Sequence, residues 1–385
     1  MLPIQSFESS TDDYAYLPDE LLEKILDGTD EISEDVKSVY KNLVENREKL
    51  RGSLIQQGKV ARVADLEPVP SPSVAAVDGG MAVEKSIGAD TVLVAAVGVE
   101  GLVREDQRKW TGVQYSHWQK VLPHSGEAAS RFARGVMSAL ELEIAVQAPH
   151  DVIIFDGSHL TPIIGLNSML SQNEPDLTPF CAKILSDHKA ANNLSEFFQR
   201  TNLVAMVKYD SSNELSASWL ADEKVKLDDR TLTTMLLDPG EYTIPSLMAL
   251  TPERKQQIGD LHIIVADKKF PNRQSLNQDF ETGLSFAKQI HVIYYRPWEW
   301  APSYRIEIKR AAANSANRIA TILQAVKEQV VSPEVREPYP QYLADQMAKS
   351  VGAGLQALRS AVMFSLADSG ADNMLRMLAQ SYRTE

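Results

Sequence analysis

The spacing of apolar and polar positions divides the chain into a helical opening, a strand-rich middle and a helical tail. In residues 1–70 apolar residues recur at helical intervals. Leu17-Pro18-Asp19-Glu20 reads as a helix entry, with Leu21, Leu22, Ile25 and Leu26 on one face behind it. Ser33-Glu34-Asp35 opens a long amphipathic helix carrying Val36, Val39, Tyr40, Leu43, Val44, Leu50 and Leu54, and its mixed-charge face reads as solvated. A stiff segment, Pro68-Val69-Pro70-Ser71-Pro72, leads into the middle. There Val74–Val77 and Thr91–Val97 predict neighbouring antiparallel strands, Glu127–Ala148 a long helix, and Val152–Asp156 a buried strand. Further strands are expected at Leu203–Val207, Leu261–Val265, His291–Tyr295 and Tyr304–Ile308, with 176–200 and 211–260 as helices and loops outside the sheet. The tail predicts helices over 312–330, 342–363 and 372–382, punctuated by Pro333, Pro338 and Pro340. This alternation describes an α/β protein with a mixed sheet flanked by helices.

Composition narrows the classes. The 385 residues, 44% hydrophobic and 24% charged, suffice for one large or two modest domains. No apolar run approaches the roughly 18 residues of a membrane span. Met1–Asp13 carries acids and no basic stretch, unlike a secretory signal. Cys181 is the single cysteine, which fits a reducing, cytoplasmic setting and excludes a cysteine zinc site within one chain. The seven histidines form no H-x-x-x-H pair, so a zinc-hydrolase helix is not expected. A net charge of −13 argues against nonspecific coating of DNA, yet leaves room for a gated, locally basic site.

Two runs carry the candidate chemistry: Val74-Ala75-Ala76-Val77-Asp78-Gly79-Gly80 and Val152-Ile153-Ile154-Phe155-Asp156-Gly157-Ser158. Each reads as a buried strand ending in a carboxylate and turned away at a glycine that tolerates positive φ. Either motif alone is ordinary turn chemistry. Two such carboxylates on neighbouring strands repel unless a cation lies between them, and hard divalent cations prefer oxygen ligands. The helix before the second motif carries Glu141 and Glu143, about 200° apart, so only one faces the sheet; periodicity does not choose between them. Asp345, in the first turns of the helix after Pro338-Tyr339-Pro340, offers a fourth oxygen ligand. Lys208, ending its own strand, offers a cation for developing phosphate charge. Carboxylates around a sheet edge are the requirement of two-metal phosphodiester hydrolysis.

In order, Asp78-Gly79-Gly80, the Glu141/Glu143 helix, Phe155-Asp156-Gly157-Ser158, the Lys208 strand end, Tyr304-Arg305-Ile306-Glu307, and Tyr339-Pro340 with Ala344-Asp345 resemble the NurA nuclease domain. The resemblance covers roughly residues 71–355, leaving 1–70 as a helical extension and 356–385 as a helical tail. It implies an RNase H-like core and a Mn²⁺- or Mg²⁺-dependent DNA nuclease. It also implies a homodimer docked on a HerA-type hexameric ATPase in DNA end processing or defence. Carried over by position, Asp78 and Asp156 are implied metal ligands, with Glu141, or else Glu143, as the helix ligand. Tyr339 and Asp345 are implied as the C-terminal motif. Two positions depart from the pattern: Gly80 stands where serine is expected, and Asp345 where histidine is expected, closer to Tyr339.

A DNA channel between paired chains would need basic residues, for which Arg131, Arg134 and Arg305 are candidates; Trp298 and Trp300 are candidates for stacking on unpaired bases, or for core or subunit contacts. Two other readings compete. An ATP-binding protein of the actin or sugar-kinase type also places Asp-Gly after a first strand, but no second glycine follows Gly157 until Gly165. A non-catalytic docking subunit of a HerA-type motor complex would suit the altered last motif, but not the retention of buried carboxylates.

Overall fold

The computed structural model describes residues 18–86, 88–171, 174–208, 212–220, 227–249, 273–371 and 373–374. The expected strand at Leu261–Val265, nearly all of the expected helix 372–382 and the segment Met1–Asp13 lie outside the described residues.

Residues 152–155 are apolar without interruption because both faces of their strand are covered; all four are fully buried. That strand, β5 (Val152–Asp156), sits mid-sheet among β1 (Val60–Arg62), β2 (Val74–Ser86), β3 (Ala89–Glu100), β4 (Gln114–Pro123), β6 (Leu203–Val207), β7 (Glu241–Thr243), β8 (Ser246–Leu247), β9 (Ile290–Arg296) and β10 (Tyr304–Lys309). The strand order is β1-β7-β9-β10-β6-β5-β2-β3-β4, with β8 on β9. Strands β2, β3 and β4 form an antiparallel meander, while β5 and β6 run parallel to β2. The order β4-β3-β2-β5-β6 is compatible with the RNase H-like core that the resemblance implies.

Alternation assigns the two faces of the sheet. Val77, Phe155 and Ala205 enter a core with α4 (Glu127–Gln147), α5 (Thr161–Ser171), α6 (Thr178–Asp187) and α7 (Ala190–Gln199). Ala76, Ile154, Val204, Met206 and Ile306 enter the opposite core under α12 (Ala316–Gln329). The N-terminal helices are α1 (Asp19–Asp27), α2 (Thr29–Glu45) and α3 (Arg47–Gln56), joined near the sheet by α8 (Glu214–Trp219) and α9 (Asp229–Leu236). The remaining helices are α10 (Arg273–Ala287), α11 (Arg310–Ala313), α13 (Tyr339–Lys349) and α14 (Val351–Asp368). Among the described residues no helix is long and apolar enough to cross a membrane.

Several expectations shift. The long helix predicted from Ser33 is two, broken at Asn46. The N-terminal extension is not wholly helical, because Val60–Arg62 pairs with Glu241–Thr243 inside the sheet. Residues 241–247, expected outside the sheet, supply two short strands of it. Strand β4 escaped the pattern because it is an edge whose polar residues leave no clear apolar face. The largest difference lies at Asp78: β2 does not stop there but pairs with β3 through Asp78↔Val97, Gly79↔Ala96 and Gly80↔Ala95 to Ser86↔Ala89. Neither Gly79 nor Gly80 is among the residues at positive φ.

Candidate metal centre

The register of two parallel strands brings the first carboxylates together. Val77 pairs with Phe155, so Asp78 and Asp156 follow as adjacent residues pointing to the same face. Strand β5 ends at Asp156 while β2 continues, which opens a notch beside Asp78. After Asp156 the chain does turn at glycine, with Gly157 at φ +97°. Glu307 anchors that turn from β10, accepting hydrogen bonds from Ser158 Oγ at 2.9 Å and from His159 N at 2.8 Å.

The glycines after Asp78 serve close approach rather than turning. A Cβ at Gly79 would lie 2.7 Å from Glu141 Oε1, on the α4 face; one at Gly80 would lie 2.0 Å from the Ala348 carbonyl oxygen, on the α13 face. Gly79 therefore lets Glu141 reach the notch from the opposite side of the sheet. Gly80 lets α13 sit directly on β2. The expected serine at position 80 would meet that carbonyl, which gives this departure from the pattern a local cause.

Helix α13 delivers two groups one turn apart, Gln341 and Asp345, to this face. Gln341 Nε2 donates to Asp156 Oδ1 at 2.8 Å. Oxygens of Asp78, Asp156 and Asp345 lie within 4.8 Å of one another. Lys208, in the same face row as Met206, holds Asp156 Oδ2 at 2.8 Å, Asp345 Oδ1 at 2.8 Å and Glu337 Oε2 at 3.0 Å.

The charge balance is unfavourable to the carboxylates. Burial, then the neighbouring Asp156 carboxylate, pushes the Asp78 carboxyl up to about 8. Burial, then Asp78 and Asp156, raises Glu141 well above the carboxylate range. Glu141 is 3% exposed and its Oε2 has no hydrogen-bond partner. Burial alone would lower Lys208, but the carboxylates around it raise it above the usual lysine range. Burial would raise Asp345, yet its hydrogen bonds from Lys208 and Lys349 hold it below the carboxylate range.

The structure thus gathers Asp78, Glu141, Asp156, Lys208 and Asp345, and leaves two candidates outside. Glu143 turns to the other side of α4, with Oε2 2.9 Å from His188 Nδ1 and 3.2 Å from Ser116 Oγ. Tyr339 is six residues before Asp345, about 240° around the helix, and makes no hydrogen bond to the carboxylates. Glu337 and Gln341 join the site unforeseen. Gln341 carried a usable signal, standing four residues before Asp345; Glu337, just before the helix, carried none. Among the channel candidates, Arg131 and Arg134 are exposed on α4, but Arg305 is buried and ion-paired to Glu307 at 3.0 Å. Trp298 is fixed by its Nε1 donating to the Val330 carbonyl at 2.9 Å and stacks on Trp300 with centroids 6.5 Å apart.

A mixed α/β sheet with acidic side chains converging where its central strands end defines the class of this protein. The chain belongs to the NurA domain family, whose model matches residues 72–350. The crystal structure of the NurA nuclease from Sulfolobus solfataricus is similar in fold, with a TM-score of 0.56 at 14% identity over 92% of this chain and 98% of that one. A crystal structure of NurA with manganese also matches, with a TM-score of 0.45 at 14% identity over 84% of this chain and 93% of that one. No curated protein matches the chain.

Proposed function

We propose that the chain is a Mn²⁺- or Mg²⁺-dependent nuclease that hydrolyses DNA phosphodiester bonds by a two-metal mechanism. The observation that carries this is the excess of carboxylate at one strand-end notch. Oxygens of Asp78, Asp156 and Asp345 lie within 4.8 Å of one another. Glu141 is close enough to be raised by Asp78 and Asp156, and Lys208 pairs with only Asp156 and Asp345 of these four. The residues fit a divalent ion. Their donors are all oxygen, the Glu141 Oε2 is buried without a partner, and burial, then the Asp156 carboxylate, pushes Asp78 toward its protonated form.

In this reading Asp78, Glu141, Asp156 and Asp345 hold the ions, and Glu143 and Tyr339 have no ligand role. Bound ions would supply an activated water and stabilise the leaving oxygen. Lys208, kept protonated by its three carboxylates, acts as a fixed positive charge beside the phosphate rather than as a proton donor. Gln341 occupies Asp156 Oδ1 with a hydrogen bond and fixes the rotation of that carboxylate. Glu307 acts one step behind, holding the backbone of the loop that follows Asp156. Family membership supports the rest of the reading: DNA as substrate, a homodimer, and a HerA-type hexameric ATPase as partner in end processing or defence.

Incubation of the full chain with Mn²⁺ and linear DNA tests it. Cleavage is expected, and Asp78→Ala or Asp156→Ala should reduce it at least about 10²–10³-fold. Equal cleavage by parent and variants would overturn the site. Absence of cleavage even with the cognate ATPase would favour a docking subunit.

A further inference from the structure

Beside the carboxylates, toward β10, lies a cavity of about 320 Å³. It shares Lys208, Glu337 and Gln341 with the metal centre, while Asp78, Asp156 and Asp345 are not part of its wall. The sheet explains its position. Arg305 pairs with Val207, so Tyr304 on β10 stands opposite Lys208, and both point to the face that carries Asp156 and Asp78. Asp156 is level with Met206 and Ile306, so Lys208 and Tyr304 lie two residues further along the same face, beyond the Asp78–Asp156 pair. At about 4.8 Å per strand the phenol is on the order of 10 Å from Asp156. One phosphate cannot touch both.

The chemistry of the wall is specific. Arg230 and Arg336 bring two guanidinium groups. Arg230 spends Nε on the Ser303 carbonyl at 3.2 Å and Nη1 on the Lys208 carbonyl, which fixes its plane at the cavity edge. Arg336 is exposed and forms no ion pair among the described residues. Glu337 is already engaged by Lys208 at 3.0 Å. Tyr304 is only 4% exposed, yet its hydroxyl has no hydrogen-bond partner. A buried hydroxyl left unpaired costs free energy, so a phenol retained there calls for a ligand acceptor. Met206, Val207 and the Tyr304 ring add apolar wall. Two guanidiniums, one hydroxyl donor and an apolar side suit an anion attached to a flat or apolar body. The volume stands at the lower end of the roughly 300–1,000 Å³ range of small-ligand pockets, enough for one nucleotide and too little for a duplex.

We propose that this cavity is the subsite for the nucleotide adjacent to the scissile phosphate, its phosphate held by Arg336, Arg230 and the Tyr304 hydroxyl. The assignment rests on the nuclease reading for the word adjacent, but not for the binding itself. The experiment separates the two. The full chain, in EDTA, is titrated calorimetrically with thymidine 5′-monophosphate, thymidine and inorganic phosphate. The nucleotide should bind more tightly than either fragment. Arg336→Ala should weaken it about tenfold, and Tyr304→Phe about three- to fivefold with an unchanged melting temperature, because the lost hydroxyl had no partner in the protein. In Mn²⁺-dependent cleavage of a single-stranded oligonucleotide, the same variants should raise KM by similar factors and move kcat less than twofold. Equal nucleotide binding by parent and both variants, or phosphate binding as tightly as the nucleotide, would overturn the subsite whatever the cleavage assay shows. Binding as expected in a chain that cleaves no DNA would leave the subsite standing as a nucleotide site and sink the nuclease reading instead.

Discussion

Two buried charge clusters in this molecule are built on opposite accounting. Where α3 meets β7, Arg51 and Glu241 pair through two contacts, Nη1–Oε2 at 2.6 Å and Nη2–Oε1 at 2.8 Å. Asp238 closes on the same guanidinium at 2.7 Å, the Leu236 carbonyl accepts from Arg51 Nη1, and Asp238 N donates to Glu241 Oε2. Both partners are driven toward their charged forms: Arg51 is raised by its hydrogen bond to Glu241, and Glu241 is lowered because the bonds from Arg51 and Asp238 N outweigh its burial. At the notch beside Asp78 the sign reverses. Asp78 and Glu141 are pushed toward neutrality, first by burial and then by the neighbouring carboxylates. A satisfied cluster is a joint, tying the N-terminal helices to the sheet. An unsatisfied one is a socket, and its deficit of positive charge is what a divalent ion would fill.

The widest contrast should come from cutting one member out of each cluster. Glu241→Ala strips Arg51, 7% exposed, of its two-point partner and leaves it only the half-exposed Asp238, and should destabilise the protein by about 1.5–3 kcal/mol in urea unfolding. Asp78→Ala at the socket removes repulsion, so the metal-free protein should be at least as stable as the parent. A loss of stability for Asp78→Ala equal to that of Glu241→Ala would erase the distinction between joint and socket.

Next in size is Gly80→Ala. Its Cβ would fall 2.0 Å from the Ala348 carbonyl, a backbone atom that cannot rotate aside. Helix α13 must move off β2, at about 1–3 kcal/mol. The displacement carries Asp345 and Gln341 with it, so Mn²⁺ binding should weaken together with stability. Gly88→Ala, where a Cβ meets nothing within 4 Å but φ is +82°, serves as the control, losing stability without losing metal affinity.

The same contrast predicts opposing pH slopes. Asp78 titrates at about 8 in the folded, metal-free protein and near 3.9 when unfolded. The folded state keeps a proton that the unfolded chain releases, so this contribution is full below about pH 4 and is lost as pH rises through about 8. His159, buried beside Glu307, is lowered to about 4 chiefly by burial, against 6.5 when unfolded. There the unfolded chain takes up the proton, and stability is lost as pH falls from about 6.5 through 4. Unfolding in EDTA between pH 5 and 9 should show stability falling toward about pH 8 and levelling above it, a decline that Asp78→Asn removes and excess Mn²⁺ reverses. An identical decline in the parent and in Asp78→Asn would dissociate the slope from this carboxyl.

Much of this was legible in the sequence where burial is continuous. Val152–Phe155 announced a covered strand, and Asp156-Gly157 announced its turn, because an apolar run and a positive-φ glycine are local properties. Asp78-Gly79-Gly80 looked the same and is different, since what demands those glycines is Glu141 and Ala348, both distant in the chain. The choice of Glu141 over Glu143 was equally out of reach: both lie on marked stripes of α4, and only the packed position of the helix decides. Tyr339 and Asp345 were grouped by resemblance, whereas helical geometry separates them and pairs Asp345 with Gln341. Arg305 read as a channel cation, although the two-residue period of its own strand already set Glu307 beside it on the same face, where the two pair.

The smallest expected effect belongs to Lys349, the second cation on Asp345. Its Nζ lies 2.5 Å from Asp345 Oδ2, closer than Lys208 to Oδ1 at 2.8 Å, so distance alone would rank it first. Exposure reverses that ranking: the Lys349 side chain is 69% exposed and that of Lys208 18%. An ion pair with one end in water is screened and costs side-chain entropy, which leaves about 0–1 kcal/mol. Lys349→Ala should therefore change stability by less than about 1 kcal/mol. Asp345 stays ionised at neutral pH without it, because Lys208 remains and still holds the carboxyl low. Cleavage by this variant at pH 7 should match the parent within about twofold, and any difference should emerge only as pH approaches the carboxylate range. A tenfold loss at pH 7 would mean that Lys349 contacts the substrate directly, and the socket would then count two working cations instead of one.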